Sequence, residues 1–113
     1  MAQIMELKDA IAEYVHDGDF LVLEGFTHLI PHAAAHEIIR QGQTGLTLCR
    51  MTPDMIYDQL IGMGRTKKLV FSYVGNPGVG LLLRFRDAVE NQWPRALETE
   101  EHYRAAMANA YEA

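Results

Sequence analysis

The sequence predicts an α/β domain built on an open, mainly parallel sheet with flanking helices. Three observations carry that prediction. Short apolar runs alternate with longer stretches in which apolar residues recur at helical spacing. The connections between them are short, as in parallel strands joined by right-handed crossovers. The first apolar run, Phe20-Leu21-Val22-Leu23, has no polar face and so reads as a strand covered by helices on both sides. With 113 residues, the chain is long enough for one domain with a modest core, so residues 1–113 are taken as one unit.

Ile4, Leu7, Ile11, Tyr14 and Val15 fall on one helical face, with Glu6, Lys8, Asp9 and Glu13 between them. His16-Asp17-Gly18-Asp19 ends that helix, and the strand Phe20–Leu23 follows. A brief loop, Glu24 to Ile30, leads to Pro31, which suits the first turn of a second helix running to Gly42. Thr44–Cys49 is the second strand. Thr52 is placed to cap a third helix, with Pro53 in its first turn, Met55, Ile56, Leu60 and Ile61 on its buried face, and Gly62 and Gly64 at its end.

Lys68–Val74 is the third strand, and Gly75-Asn76-Pro77-Gly78 is a turn. Val79–Val89 is an unusually apolar helix that stops before Pro94. Thr99 caps a last helix that starts at Glu100 and reaches Tyr111-Glu112-Ala113 without a stop signal. The expected order is therefore αβαβαβαα, with three strands, an exposed sheet edge that favours association, and a chain that reads as part of a longer one.

Ten basic and 15 acidic residues give a net charge of -5. The one short basic run, Arg65-Thr66-Lys67-Lys68, reads as a solvated turn and excludes a nucleic-acid footprint. Cys49 is the only cysteine, so no internal disulfide can form and a reducing, cytoplasmic setting is expected. No apolar run has the length of a membrane span.

Ligands of open α/β sheets bind outside the carboxyl ends of the strands, so function is expected on the strand-end loops. Glu24 closes the first strand and reads either as a base or nucleophile, or as a partner for a basic residue. His32 and His36 lie one helical turn apart, a spacing that can hold a metal, but no third ligand is near and the glutamate of the zincin motif is absent. The expectation is no metal and no bound cofactor. Gly75-Asn76-Pro77-Gly78-Val79-Gly80 reads as a tight turn or as an anion site at a helix start; its glycine order is not that of a dinucleotide fingerprint. Arg50 can pair with a carboxylate or phosphate, and Cys49 reads as a buried structural thiol.

The stretch from Met5 to Asp19 resembles the start of the alpha subunit of the family I CoA-transferases, nearest to the glutaconate type. The likeness continues through Gly25-Phe26-Thr27, Pro31, Glu37 to Gly42, Leu46-Thr47, Leu60-Ile61-Gly62, Gly64-Arg65 and Arg84-Phe85-Arg86. The resemblance implies a glutamyl-CoA thioester, formed on the partnering beta subunit, through which CoA passes from an acyl-CoA to a carboxylic acid. CoA thioester is then substrate, not cofactor, and no catalytic residue is assigned to this chain. It further implies a cleft lined by Gly25, Phe26, Thr27 and His28, with Arg50, Gly75 and Asn76 behind them. Two departures stand out: Glu24 replaces the first glycine of a Gly-Gly-Phe loop, and Arg50-Met51-Thr52-Pro53 stands where many members carry asparagines. Two alternatives stay open: a CoA-thioester hydrolase or ring-opening enzyme of the same fold, and a non-catalytic assembly module.

Overall fold

The computed structural model describes residues 2–25, 29–75 and 80–112. Its elements are α1 (Leu7–Tyr14), β1 (Phe20–Val22), α2 (His32–Gln41), β2 (Leu46–Cys49), α3 (Met55–Gly62), β3 (Thr66–Phe71), α4 (Leu83–Asn91), β4 (Glu98–Glu101) and α5 (Arg104–Glu112). The sheet is wholly parallel, in the order β1-β2-β3-β4. Sequential parallel strands with crossovers of one hand place their connecting helices on one face. Consistent with this, α1 packs on α2, α2 on α3 and α3 on α4.

The core lies between that helical layer and one face of the sheet. Leu21, Leu48 and Leu69 stand in register across β1, β2 and β3. Leu46, Leu48 and Leu69 are fully buried against Ile38, Ala35, Ile56 and Leu60 from α2 and α3. In α1 only Ile11 is buried, with Val15 just beyond its end; Leu7 and Tyr14 are exposed and Ile4 precedes the helix. Gly42 closes α2 at φ 86°, a left-handed cap that returns its N–H to the Ile38 carbonyl. Buried Glu37 ties α2 to its own last turn through Arg40 and Gln41, and Gln41 Nε2 donates to the Lys8 carbonyl at 2.7 Å, joining α2 to α1. Asp58 of α3 accepts the Phe85 N–H at 2.8 Å and so caps the start of α4 from outside. Burial lifts the Asp58 carboxyl above its ordinary range.

The structure corrects several expectations. Residues 98–101 are a fourth strand, not the first turn of a helix, so the order is αβαβαβαβα. The run Glu98-Thr99-Glu100-Glu101 has no apolar periodicity, and its place in the sheet depends on its neighbour. Lys68 of β3 reaches Glu98 at 3.2 Å and Glu100 at 2.7 Å. The basic run ending at Lys68 is therefore largely strand, not a solvated turn. The third helix starts at Met55 with Asp54, not Thr52, in the cap position, and Tyr57 rather than Met55 fills its buried face. The fourth helix begins at Leu83, and both Leu81 and Leu83 are exposed.

The first strand is covered on one side only. Phe20 and Val22 are 60% and 45% exposed, while Leu21 between them turns inward. On that second face the only helix among the described residues is α5. With the strands it walls a groove of about 1010 Å³, lined by Phe20, Val22, Val70, Met107 and Tyr111 among others.

The Lys68 pairing gives a pH prediction. Lys68, then His102, hold the exposed Glu100 carboxyl down at about 2, against an ordinary value of 4.5. A lowered carboxylate contributes stability that is complete above its unfolded value and fades as pH falls. The Lys68–Glu100 contribution should therefore disappear between about pH 4.5 and 2. Carboxyl NMR titration of Glu100 should give a midpoint near the lower figure. In Lys68→Met the midpoint should move toward the upper one.

Candidate functional site

All four strands run the same way, so their carboxyl ends share one edge of the sheet. Glu24-Gly25 follows β1, Arg50-Met51 follows β2, Ser72 to Gly75 follows β3, and His102 follows β4. Of the seven sequence-predicted site residues, Gly25, Arg50 and Gly75 lie in the described structure. Phe26, Thr27, His28 and Asn76 lie outside the described residues.

Gly25 and Arg50 are in direct contact. Arg50 Nη2 donates to the Gly25 carbonyl. Its Nε is 3.5 Å from Glu24 Oε2, and its Nη1 is 2.9 Å from Asp54 Oδ1. The last pair is close as an ion pair but off hydrogen-bond angle, so neither atom counts as hydrogen-bonded. The Arg50 side chain is 3% exposed and its guanidinium sits 5.9 Å from the centre of the Tyr57 ring. Glu24 is 42% exposed, and Oε1 accepts the Met51 N–H at 3.2 Å and the Tyr111 hydroxyl at 3.1 Å. The loops after β2 and β3 are also joined, since the Met51 carbonyl accepts both the Ser72 and the Tyr73 N–H at 3.0 Å. Gly75 lies against Tyr73: a Cβ there would come within 2.7 Å of the Tyr73 hydroxyl.

Tyr57 secures the end of β1. Its hydroxyl accepts the Leu23 N–H at 3.1 Å and reaches the Leu23 carbonyl at 3.0 Å and the Cys49 carbonyl at 3.2 Å. Burial pushes this phenol well above its ordinary range, so it stays protonated and available as a donor. Tyr57→Phe leaves the Leu23 N–H without this partner and is expected to cost about 1–2 kcal/mol, read as a lower urea midpoint at unchanged slope.

Cys49 is 3% exposed and its Sγ is 3.5 Å from the Tyr111 hydroxyl. Burial pushes the thiol up, so it is not an activated nucleophile. Burial, then the neighbouring Cys49 and Glu24, raises the Tyr111 phenol as well. His32 and His36 face each other with ring centroids 6.3 Å apart, but His36 Nε2 is engaged with Gln59 Oε1 at 2.8 Å. Among the described residues no three histidine, cysteine or acidic side chains come together as a metal site.

Sequence reasoning found Arg50, Glu24 and Gly25 but missed Asp54, Tyr57 and Tyr111. The spacing of Tyr57 with Leu60 and Ile61, three and four positions on, was a usable signal for burial. Tyr111 had none, since its contact with Glu24 spans 87 positions of sequence.

Comparison with known proteins points in one direction. The family model for coenzyme A transferase matches residues 4–108. The alpha (A) subunit of the 3-oxoadipate CoA-transferase of Pseudomonas knackmussii is 60% identical over 111 residues, 98% of this chain and 39% of the relative. The alpha (A) subunit of the glutaconate CoA-transferase of Acidaminococcus fermentans is 48% identical over 88 residues, 76% of this chain and 28% of the relative. The crystal structure of the Acidaminococcus fermentans glutaconate enzyme superposes with a TM-score of 0.83 at 38% identity, covering 97% of this chain and 34% of that one. A variant of the decarboxylase AibA/AibB superposes at 0.74 with 22% identity, which is a likeness of fold alone. The chain thus spans well under half the length of these relatives.

Proposed function

The chain belongs to the coenzyme A transferase family, and from that premise we propose that it supplies the amino-terminal portion of the alpha subunit of a CoA-transferase. The enzyme moves CoA between an acyl-CoA and a free carboxylic acid, and a beta subunit completes the cleft. The observation that carries this reading is the 60% identity to the corresponding subunit of a 3-oxoadipate CoA-transferase across nearly the whole chain. Identity to the glutaconate relative is lower, at 48%. The favoured acyl class is therefore a 3-oxo dicarboxylic acid rather than a 2-enoic one. Among the described residues no helix is long and apolar enough to cross a membrane.

In this reading the nucleophilic glutamate belongs to the beta subunit. Its carboxylate attacks the acyl-CoA thioester, and the donor leaves as its free acid with CoA left as a glutamyl thioester. The acceptor acid then takes the CoA and restores the glutamate. This chain provides the wall of the cleft. Gly25 permits close backbone approach, and Gly75 follows the strand β3 on the same edge of the sheet; Phe26, Thr27, His28 and Asn76, expected from the sequence to join them, lie outside the described residues. Glu24 serves structure here: it bridges Arg50, Met51 and Tyr111 and is not the nucleophile.

The test is a CoA-exchange assay in which an alpha subunit carrying this chain is paired with its beta partner and offered 3-oxoadipate and glutaconate as acceptors. Exchange with the 3-oxo acid is expected to dominate. Hydroxylamine or borohydride trapping during turnover should modify a glutamate of the beta partner. Modification of Glu24, or thioester loss with no acceptor present, would refute the proposal and favour a hydrolase.

A further inference from the structure

We propose that Arg50 is a positioning residue: buried behind the strand ends, it holds Glu24 and Gly25 in place rather than contacting a substrate. The inference rests on the functional reading above for its catalytic meaning, but its structural content stands on geometry alone.

The Arg50 guanidinium is directed at groups inside the chain: Nη2 is hydrogen-bonded to Gly25, while Nε and Nη1 lie within ion-pair distance of carboxylates. The side chain is 3% exposed, which leaves no surface for a carboxylate or phosphate from solution. Its fork reaches three partners on two segments: Nη2 to the Gly25 carbonyl and Nε toward Glu24, both after β1, and Nη1 toward Asp54 at the start of α3. Tyr57, one helical turn after Asp54, stacks beneath the guanidinium and anchors Leu23 just upstream. The unit formed by the end of β2 and the start of α3 thus fixes the last three residues before the predicted cleft loop. A lysine keeps the charge but cannot span these three directions, because one ammonium is a point donor whereas guanidinium is a rigid planar fork. Glu24 then passes the constraint on, since its carboxylate accepts the Met51 N–H.

That last bond provides the readout. In amide-resolved hydrogen exchange on this chain, Arg50→Gln and Arg50→Lys should each speed the Met51 amide by about tenfold, the loss of one charge-assisted hydrogen bond. The Thr47 amide, bonded to the Asp19 carbonyl at 2.9 Å, serves as reference and should stay within about twofold. Equal acceleration at both amides would make Arg50 a general stabiliser and overturn the proposal. No change at Met51, or failure of both variants to fold, would overturn it as well.

In the paired alpha and beta subunits, Arg50→Lys should lower kcat by on the order of a hundredfold, as expected for a cleft wall displaced by about 1 Å. KM for the acyl thioester should stay within about threefold, because no binding contact is removed. A rise in KM with kcat intact would identify Arg50 as a ligand instead. If the unaltered pair shows no exchange activity, the functional reading fails, and the amide result still decides the positioning role.

Discussion

Leu48→Ala is expected to lower the stability of the domain by about 3–5 kcal/mol, the range for a fully buried leucine whose surroundings cannot collapse. Leu48 is the third residue of a central strand, fully buried and flanked in register by Leu21 and Leu69. Its neighbours are held by strand pairing on both sides, so the cavity cannot be closed by a local shift. Domains of this length have roughly 6–17 kcal/mol in total, so a large share would be lost. Urea denaturation followed by circular dichroism should show the midpoint falling at unchanged slope. A loss below about 1 kcal/mol would mean that the helical layer repacks, against a rigid arrangement of strands and helices.

Gly25→Ala should be the most damaging single methyl in the site. A Cβ at Gly25 would sit 2.5 Å from the Leu29 carbonyl oxygen, 2.8 Å from its carbon and 2.9 Å from the Ile30 Cα. All three are backbone atoms, so no side chain can move aside. The expected cost is about 2–3 kcal/mol, the upper part of the range for overpacking. The displacement should be local. Exchange at the Leu23 and Met51 amides should quicken while β3 stays protected. A variant with unchanged melting temperature and exchange would show that the two sides of this loop are not so closely packed.

How far the sequence foretold the molecule depends on what each segment's neighbours contribute. The alternation of apolar runs and helical stripes was enough to place α1, α2, α3, β2 and β3 and to make the sheet parallel, because those elements carry their burial pattern in their own residues. The last strand was illegible for the opposite reason. Glu98-Thr99-Glu100-Glu101 has the composition of a solvated helix start, and it becomes a strand by pairing with β3, thirty positions earlier, where Lys68 meets two of its glutamates. Likewise Phe20-Leu21-Val22 reads as buried on both faces, yet Phe20 and Val22 are open to solvent; hydrophobicity reports what can be covered, not what covers it. In the site, Arg50 and Gly25 were visible as residue types, but their union is a tertiary fact. A guanidinium at the end of one strand and a carbonyl at the end of another meet only because the two strands lie side by side.

The acidic outermost strand has a consequence for how copies of this molecule meet. An uncovered ladder of amides and carbonyls is a template for unwanted β-addition, the first step toward fibrils. Among the described residues one margin of the sheet, β1, is only three residues long, and the other, β4, presents three glutamates in four residues. Two such acidic margins brought together would set like charges opposite one another, which is destabilising. The carboxylates that hid this strand from sequence inspection thus disfavour the pairing of β4 with a second copy of itself.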